Sequence, residues 1–280
     1  MNKVILITGA SSGIGHETAA LLASQGHKVY AAARRVERME DLTAAGVTPV
    51  KLDVTDAESV KAAVKQVTDE QGRIDVLINN AGYGYFGPIE NVSDEEARKQ
   101  LDVNIFGLAN LTREVLPWMR KQGSGRIVNT ASIAGKFTLM FGGWYSVSKY
   151  AVEAFSDALR MEVKPFGIDI VTIEPGGIKT AWGTIAADHL DESCKGTAYE
   201  EEGKNMAALL RYGYTSDYLS PTSVVAKAMS KAVNAKRPKT RYRIGFASHF
   251  AIFWHSILSD RQWDSIMRLG GKVMKNRRLK

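Results

Sequence analysis

Val4-Ile5-Leu6-Ile7-Thr8-Gly9-Ala10-Ser11-Ser12-Gly13-Ile14-Gly15 is the stretch that decides how the rest of this 280-residue chain is read. Four apolar residues predict a buried strand, three glycines a tight turn, and the apolar spacing over 13–25 a helix. Without a Cβ in the way, such a turn lets the backbone approach a phosphate, and the helix N-terminus offers it unpaired N–H donors. The spacing, Gly-x-x-x-Gly-x-Gly, departs from the common Gly-x-Gly-x-x-Gly form.

Outward from that turn, short β-branched runs alternate with helical patterns. Strands are predicted near 3–8, 27–33, 47–52, 74–79, 125–130, 167–173 and 241–246, and helices at 13–25, 56–71, 94–121 and 146–164. Repeated βαβ units predict an α/β fold: a single-domain Rossmann fold with a doubly wound, seven-stranded parallel sheet flanked by helices. No linker or repeat divides residues 1–280, so one domain is expected, with its core in 1–180, a substrate lid in the insertion 180–222 and a helical extension at 247–280.

Composition narrows the function. The chain has 37 Lys+Arg against 30 Asp+Glu, a net charge of +7, but the cations are spread along it and nucleic-acid binding is not expected. The densest cluster, Lys275, Arg277, Arg278 and Lys280, is compatible with weak peripheral contact to an anionic membrane. One cysteine, Cys194, supports neither a disulfide framework nor a thiolate metal cluster. His16, His27, His189, His249 and His255 lack metal-ligand spacing, although His16 is near enough to the glycine turn to approach a phosphate. Asp188, Asp191, Glu192 and Glu200–Glu202 read as a solvated face of the insertion. The apolar run before the glycine turn is too short for a signal peptide, no stretch is long enough to span a membrane, and a cytoplasmic protein is expected.

Three further patterns carry chemistry. The second strand ends Ala33-Arg34-Arg35, with guanidinium groups where an acid would bind a ribose 2′-hydroxyl, so a 2′-phosphate is the better fit. Tyr145 and Lys149 lie one helical turn apart, and an ammonium beside a phenol favours its ionised form and lowers its pKa. Ser132 follows the fifth strand, at the edge where open α/β sheets bind ligands.

Together with Asp53-Val54, Asn79-Asn80-Ala81-Gly82, Asn104 and Pro175-Gly176, these motifs stand in the order and spacing of the short-chain dehydrogenase/reductases, which the chain resembles over roughly residues 1–180. The hydroxysteroid and retinol dehydrogenase branch is the part of that family it looks most similar to. The resemblance implies that Tyr145 is the acid/base, that Lys149 holds the nicotinamide ribose, that Ser132 binds the substrate oxygen and that Asn104 anchors a relay water. It implies cofactor contacts from Gly9, Ser11, Ser12, Gly13, Ile14, Gly15, Arg34, Arg35, Asp53, Val54, Asn80, Ala81, Gly82, Tyr145, Lys149, Pro175, Gly176 and Thr180. Gly177, beside Gly176, is the single departure, bearing on local turn geometry. No metal site is implied, and a homodimer or homotetramer is.

The expectation is therefore an NADP(H)-dependent oxidoreductase moving a hydride between nicotinamide and a carbonyl or secondary alcohol. Phe137, Leu139, Met140, Phe141, Trp144 and Trp182 are expected to wall Tyr145 and favour a lipophilic substrate such as a steroid, retinoid or acyl ketone. A reductase of small polar ketones, an epimerase or dehydratase using the cofactor transiently, and a catalytically silent NADP-binding sensor are the alternatives.

Overall fold

The computed structural model describes residues 2–215 and 217–278, from 270 onward as helix backbone only. Seven strands form one sheet: β1 (Val4–Thr8), β2 (Lys28–Ala33), β3 (Thr48–Lys51), β4 (Val76–Asn79), β5 (Gly125–Thr130), β6 (Ile168–Pro175) and β7 (Arg241–Ile244). Every pairing is parallel, and the order is β3-β2-β1-β4-β5-β6-β7. The predicted strands are all present, within a few residues at their ends.

Strand β1 shows why the sheet must be covered on both faces. All five residues are buried, with Val4 and Leu6 in one apolar cluster and Ile5 and Ile7 in the other. Period-two alternation of a wholly apolar strand has no solvated side, so each face needs a helical layer. Helices α1 (Gly13–Ser24), α2 (Glu40–Ala44) and α9 (Thr222–Asn234) supply Leu22, Leu42, Val225 and Met229 to the first layer. Helices α3 (Ala57–Gln71), α5 (Leu108–Gln122) and α6 (Gly143–Val163) supply Val64, Val115 and Leu159 to the second. Asp56 caps α3 by accepting from Glu58 N at 2.9 Å, and Gly72 ends it in the left-handed region.

The predicted helix 94–121 is not continuous. It is built as α4 (Asp94–Leu101) and α5, joined by a π-helical stretch over Asp102–Gly107 that contains Asn104. Such widened turns re-aim the side chains they carry. The insertion 180–222, which has no clear strand in its sequence, holds helices α7 (Trp182–Cys194) and α8 (Glu200–Thr215). After β7 come α10 (Ser248–Ile257) and α11 (Asp260–Arg278). The side chains of Lys275, Arg277, Arg278 and Lys280 lie outside the described residues.

The order of strands reverses between β1 and β4. From β1 successive connections run outward to β2 and β3, and from β4 outward to β7, leaving a crevice at the C-terminal edge where the two directions part. Thr8, Arg34, Asp53, Asn80, Ser132 and Pro175 stand at or just beyond the C-terminal ends of successive strands along that edge.

Candidate active site

The floor of the crevice is a lock between the turn after β1 and the turn after β4. Thr8 Oγ1 accepts from Asn80 N and Ala81 N, both at 3.0 Å, and Asn80 Nδ2 donates to the Thr8 carbonyl at 3.1 Å. A Cβ on Gly9 would stand 2.9 Å from Ala81 Cα, and one on Gly15 2.5 Å from both Gly9 O and Asn80 Nδ2. Glycine is required at both by backbone contact. Ser12 is the N-cap of α1, its side chain makes no capping hydrogen bond, and no acid occupies the first turn. The helix therefore presents unpaired N–H groups at the crevice.

Around this floor the other expected contacts take particular places. Arg34 and Arg35 are exposed just beyond β2, and Arg34 acts electrostatically on the Tyr83 phenol, which burial pushes up to about 12. Asp53 is partly occupied: its carboxylate accepts from Thr55 N at 3.0 Å and Thr55 Oγ1 at 2.7 Å, and Val54 packs against Gly107. Pro175 ends β6, and Gly176 N donates to Ile244 O at 2.7 Å. Gly177, read as a turn detail, pairs across to Phe246 and lies against Leu219. Thr180 Oγ1 accepts from Trp182 N at 3.3 Å, and its methyl faces Gly13, so the start of α7 closes on the glycine turn. His16 does not point into the crevice, because its Nε2 is engaged by Asp41 of α2 at 3.0 Å.

Ser132, Tyr145 and Lys149 meet above the ends of β5 and β6. Ser132 Oγ accepts from Ala134 N at 3.1 Å and is 8 % exposed. Its hydroxyl donates to the Pro175 carbonyl at 3.4 Å and faces the Tyr145 phenol closely enough to favour its ionised form. Lys149 Nζ lies 5.7 Å from the centre of the Tyr145 ring and donates to the Thr130 carbonyl at 2.9 Å. Asn104 ties the wall together: its Oδ1 accepts from Tyr83 N at 3.0 Å, and its Nδ2 donates to Tyr83 O at 2.9 Å and Ser148 Oγ at 3.0 Å. Both Nδ2 protons are used, and the second lone pair of Oδ1 is the acceptor its side chain keeps for a relay water.

The expected lowering of the phenol pKa is corrected by the structure. Burial pushes Tyr145 up to about 12, more than the Ser132 hydroxyl pulls it down. Burial also holds Lys149 down at about 8, opposed by the nearby charge of Glu153. Both shifts have one cause: desolvation disfavours the charged form of each group. The ammonium is directed at a backbone carbonyl rather than at the phenol oxygen.

Glu153, one turn beyond Lys149 and 5 % exposed, was missed in the sequence. It pairs with Lys136 at 2.8 Å and Arg241 at 3.1 Å, and Arg241 also reaches the fully buried Glu174 at 3.1 Å. The available signal was an acid on the buried face of a helix, where an ion needs partners from elsewhere.

The aromatic wall is only partly the expected one. Tyr145 shares an apolar cluster with Leu139, Met140, Phe141 and Trp182, and also with Phe86 and residues of α7 and α8. Trp182 lies 5.0 Å from the Tyr145 ring, 5.5 Å from Phe86 and 5.8 Å from Tyr214. Phe137 turns the other way, against Trp263 at 4.9 Å and His255 at 5.8 Å, because α10 and α11 pack over it. Trp144 is outside the cluster among the described residues. Asp188 and Asp191, expected to be merely solvated, both hold Arg211 at 2.6 Å and so clamp α7 to α8. Among the described residues no His, Cys, Asp and Glu group could hold a metal, and no helix is long and apolar enough to cross a membrane.

Comparison with known proteins agrees with this fold. The family model for short chain dehydrogenases matches residues 3–189. A protein of Helicobacter pylori described as a probable short-chain type dehydrogenase/reductase is 38% identical over 264 residues, covering 94% of this chain and 96% of its own. The 3-ketodihydrosphingosine reductase of Bacteroides thetaiotaomicron is 45% identical over 180 residues, 64% of this chain and 65% of its own. A short-chain dehydrogenase from Streptomyces avermitilis superposes with a TM-score of 0.79 at 31% identity, covering 99% and 98% of the two chains.

Proposed function

The chain belongs to the short-chain dehydrogenases, a family of oxidoreductases, and on that premise we propose that it is an NADP(H)-dependent enzyme acting on a carbonyl or secondary alcohol of a lipophilic substrate. The observation that carries the reading is the meeting of Ser132, Tyr145 and Lys149 beneath a wall of aromatic and aliphatic side chains.

The residues present fit a dinucleotide. Three glycines keep Cβ atoms out of the crevice, the uncapped N-terminus of α1 offers amides to a pyrophosphate, and Arg34 with Arg35 offers charge-assisted bonds to a 2′-phosphate. Asn80, Ala81 and Gly82 would line the ribose side, with Pro175, Gly176 and Thr180 opposite. When bound, the reduced cofactor supplies the two electrons and hydrogen that a carbonyl carbon takes up. Tyr145 holds a proton at its Oη at neutral pH and is placed to give it to the developing alkoxide oxygen. Ser132 Oγ, fixed by the Ala134 amide, is placed to hydrogen-bond that same oxygen. Lys149 carries the positive charge of this corner, and Asn104 fixes the loop that walls it.

Lipophilic selectivity is supported by Phe86, Trp182 and Tyr214 standing over Tyr145. It is supported also by the name of the Bacteroides relative, a 3-ketodihydrosphingosine reductase. On this reading α7 and α8 open to admit substrate and exclude water on closing. The test is NADPH consumption across steroid, retinoid, acyl-ketone and sugar-ketone substrates, by wild type and by Tyr145→Phe. The variant keeps the ring and loses the proton, so NADPH binding survives while turnover falls ~10²–10⁴-fold. Near-normal turnover of Tyr145→Phe rejects the assignment, and best activity on a sugar ketone rejects the lipophilic substrate.

A further inference from the structure

Helix α10 turns four large apolar side chains away from the protein. Phe250, Phe253, Trp254 and Ile257 are 68%, 57%, 38% and 56% exposed, at the i, i+3, i+4, i+7 spacing of one helix face. The three aromatic rings meet at steep angles, Phe250 and Phe253 lying 5.9 and 5.8 Å from Trp254. The opposite side of the helix is occupied, with His255 packed on Phe137 and Trp263. The stripe exposes on the order of 400 Å² of contiguous apolar surface, a size that marks an interaction site.

Next to the stripe, one residue before Phe250, His249 borders a cleft of about 320 Å³ lined by Lys231, Lys239, Arg241, Tyr242, Arg243 and His249. No carboxylate is among these lining residues. Arg241 and Arg243 are paired with Glu153, Asp157 and Glu174, while among the described residues Lys231, Lys239 and His249 have no acidic partner. The acids that reach the cleft are already paired there, Glu153 and Asp157 with Arg241 and Glu174 with Arg243.

We propose that the outer face of α10, with the basic cleft beside it, docks the protein on an anionic lipid surface. An exposed aromatic stripe flanked by cations is the composition of a helix lying in the headgroup region: rings enter the acyl boundary and the cations meet lipid phosphates. Charge decides against a second copy of this chain, since a symmetric contact through this face would set Lys231, Lys239 and Arg243 near the same cations of its mate. The face lies on the active-site side of the sheet, where Ser248 abuts Gly176 and His255 abuts Phe137. Docking there needs no assumption about the reaction.

The test is co-sedimentation of the full chain with vesicles of phosphatidylcholine alone and of phosphatidylcholine mixed with phosphatidylglycerol. Wild type is expected to sediment with the mixed vesicles, less so in high salt, and to stay in solution with phosphatidylcholine. Lys231→Glu with Lys239→Glu removes two cations, each of which strengthens partitioning about fivefold. Phe250→Ser with Phe253→Ser and Ile257→Ser lowers it at least about tenfold. These positions are exposed, so both variants should keep the wild-type melting temperature. Three results overturn the proposal: no sedimentation of wild type with mixed vesicles, unchanged sedimentation of both variants with loss only on deleting 275–280, or a wild-type dimer in ultracentrifugation that the serine variant abolishes.

Discussion

At the glycine turn, backbone meets backbone: Gly15 has the Gly9 carbonyl and the Asn80 side chain where a methyl would go, and Thr8 bonds two successive amides across the crevice. In the α7–α8 insertion, side chain meets side chain: Gly183 lies under the ring of Tyr214, Trp182 lies across Tyr145, and Arg211 joins the helices by ion pairs. The first arrangement is tied to the parallel ladder and has no freedom to give way. The second is made of side chains from two helices outside the sheet, held by ring packing and ion pairs rather than by the ladder. On the proposed function, the turn is a floor fixed for one cofactor and the insertion a wall whose side chains set the substrate.

A pair of alanine substitutions is the sharpest way to break this contrast. Gly15→Ala drives a methyl into fixed backbone and should cost about 3 kcal/mol or more, seen as a large drop in melting temperature with loss of NADPH binding. Gly183→Ala drives a methyl onto the root of the Tyr214 ring, so that whole side chain must leave its place, at about 1–3 kcal/mol, while KM for large ketones rises. Equal losses from the two would mean that the insertion is as rigid as the floor.

Lys149 sits at the seam, and its burial gives a pH test. Its proton is bound more weakly in the folded chain, at about 8, than at its ordinary 10.5. Stability from this group is therefore present above about pH 10.5 and lost as pH falls through 8, by about 3 kcal/mol. Lys149→Met keeps the length without the charge. It should be inactive, yet more stable than wild type at pH 7 by ~1–3 kcal/mol in urea melts, with the gain vanishing near pH 10. A variant less stable at pH 7 would show that the bond to Thr130 outweighs the cost of burial.

On the floor, Arg34→Ala should narrow the preference for NADPH over NADH by ten- to a hundredfold, about 1.5–3 kcal/mol, by titration calorimetry. Equal affinities in the wild type would remove the 2′-phosphate reading altogether. On the wall, kcat/KM along a homologous series of ketones should rise about fourfold per buried methylene, ~0.8 kcal/mol, and Trp182→Ala should shift where the series levels off. A flat series would assign the aromatic cluster to packing alone.

The sequence by itself determined what depends on neighbours a few residues apart: the alternation of β1, the glycine turn, the arginines that end β2, and the helical spacing of Tyr145 and Lys149. Local periodicity and chain geometry suffice for these, and the order of the βαβ units then leaves few topologies open. Only the tertiary structure decided which distant groups meet. Phe86 rather than Phe137 faces Tyr145, because the loop after β4 folds under α7 while α10 and α11 cover Phe137. Asn104 is re-aimed by a π-helical turn that no apolar pattern announces, and Glu153 finds Lys136 and Arg241 from separate elements. Burial then set the proton affinities of Tyr145 and Lys149, since the cost of desolvating a charge depends on everything packed around it and not on the residue four places along.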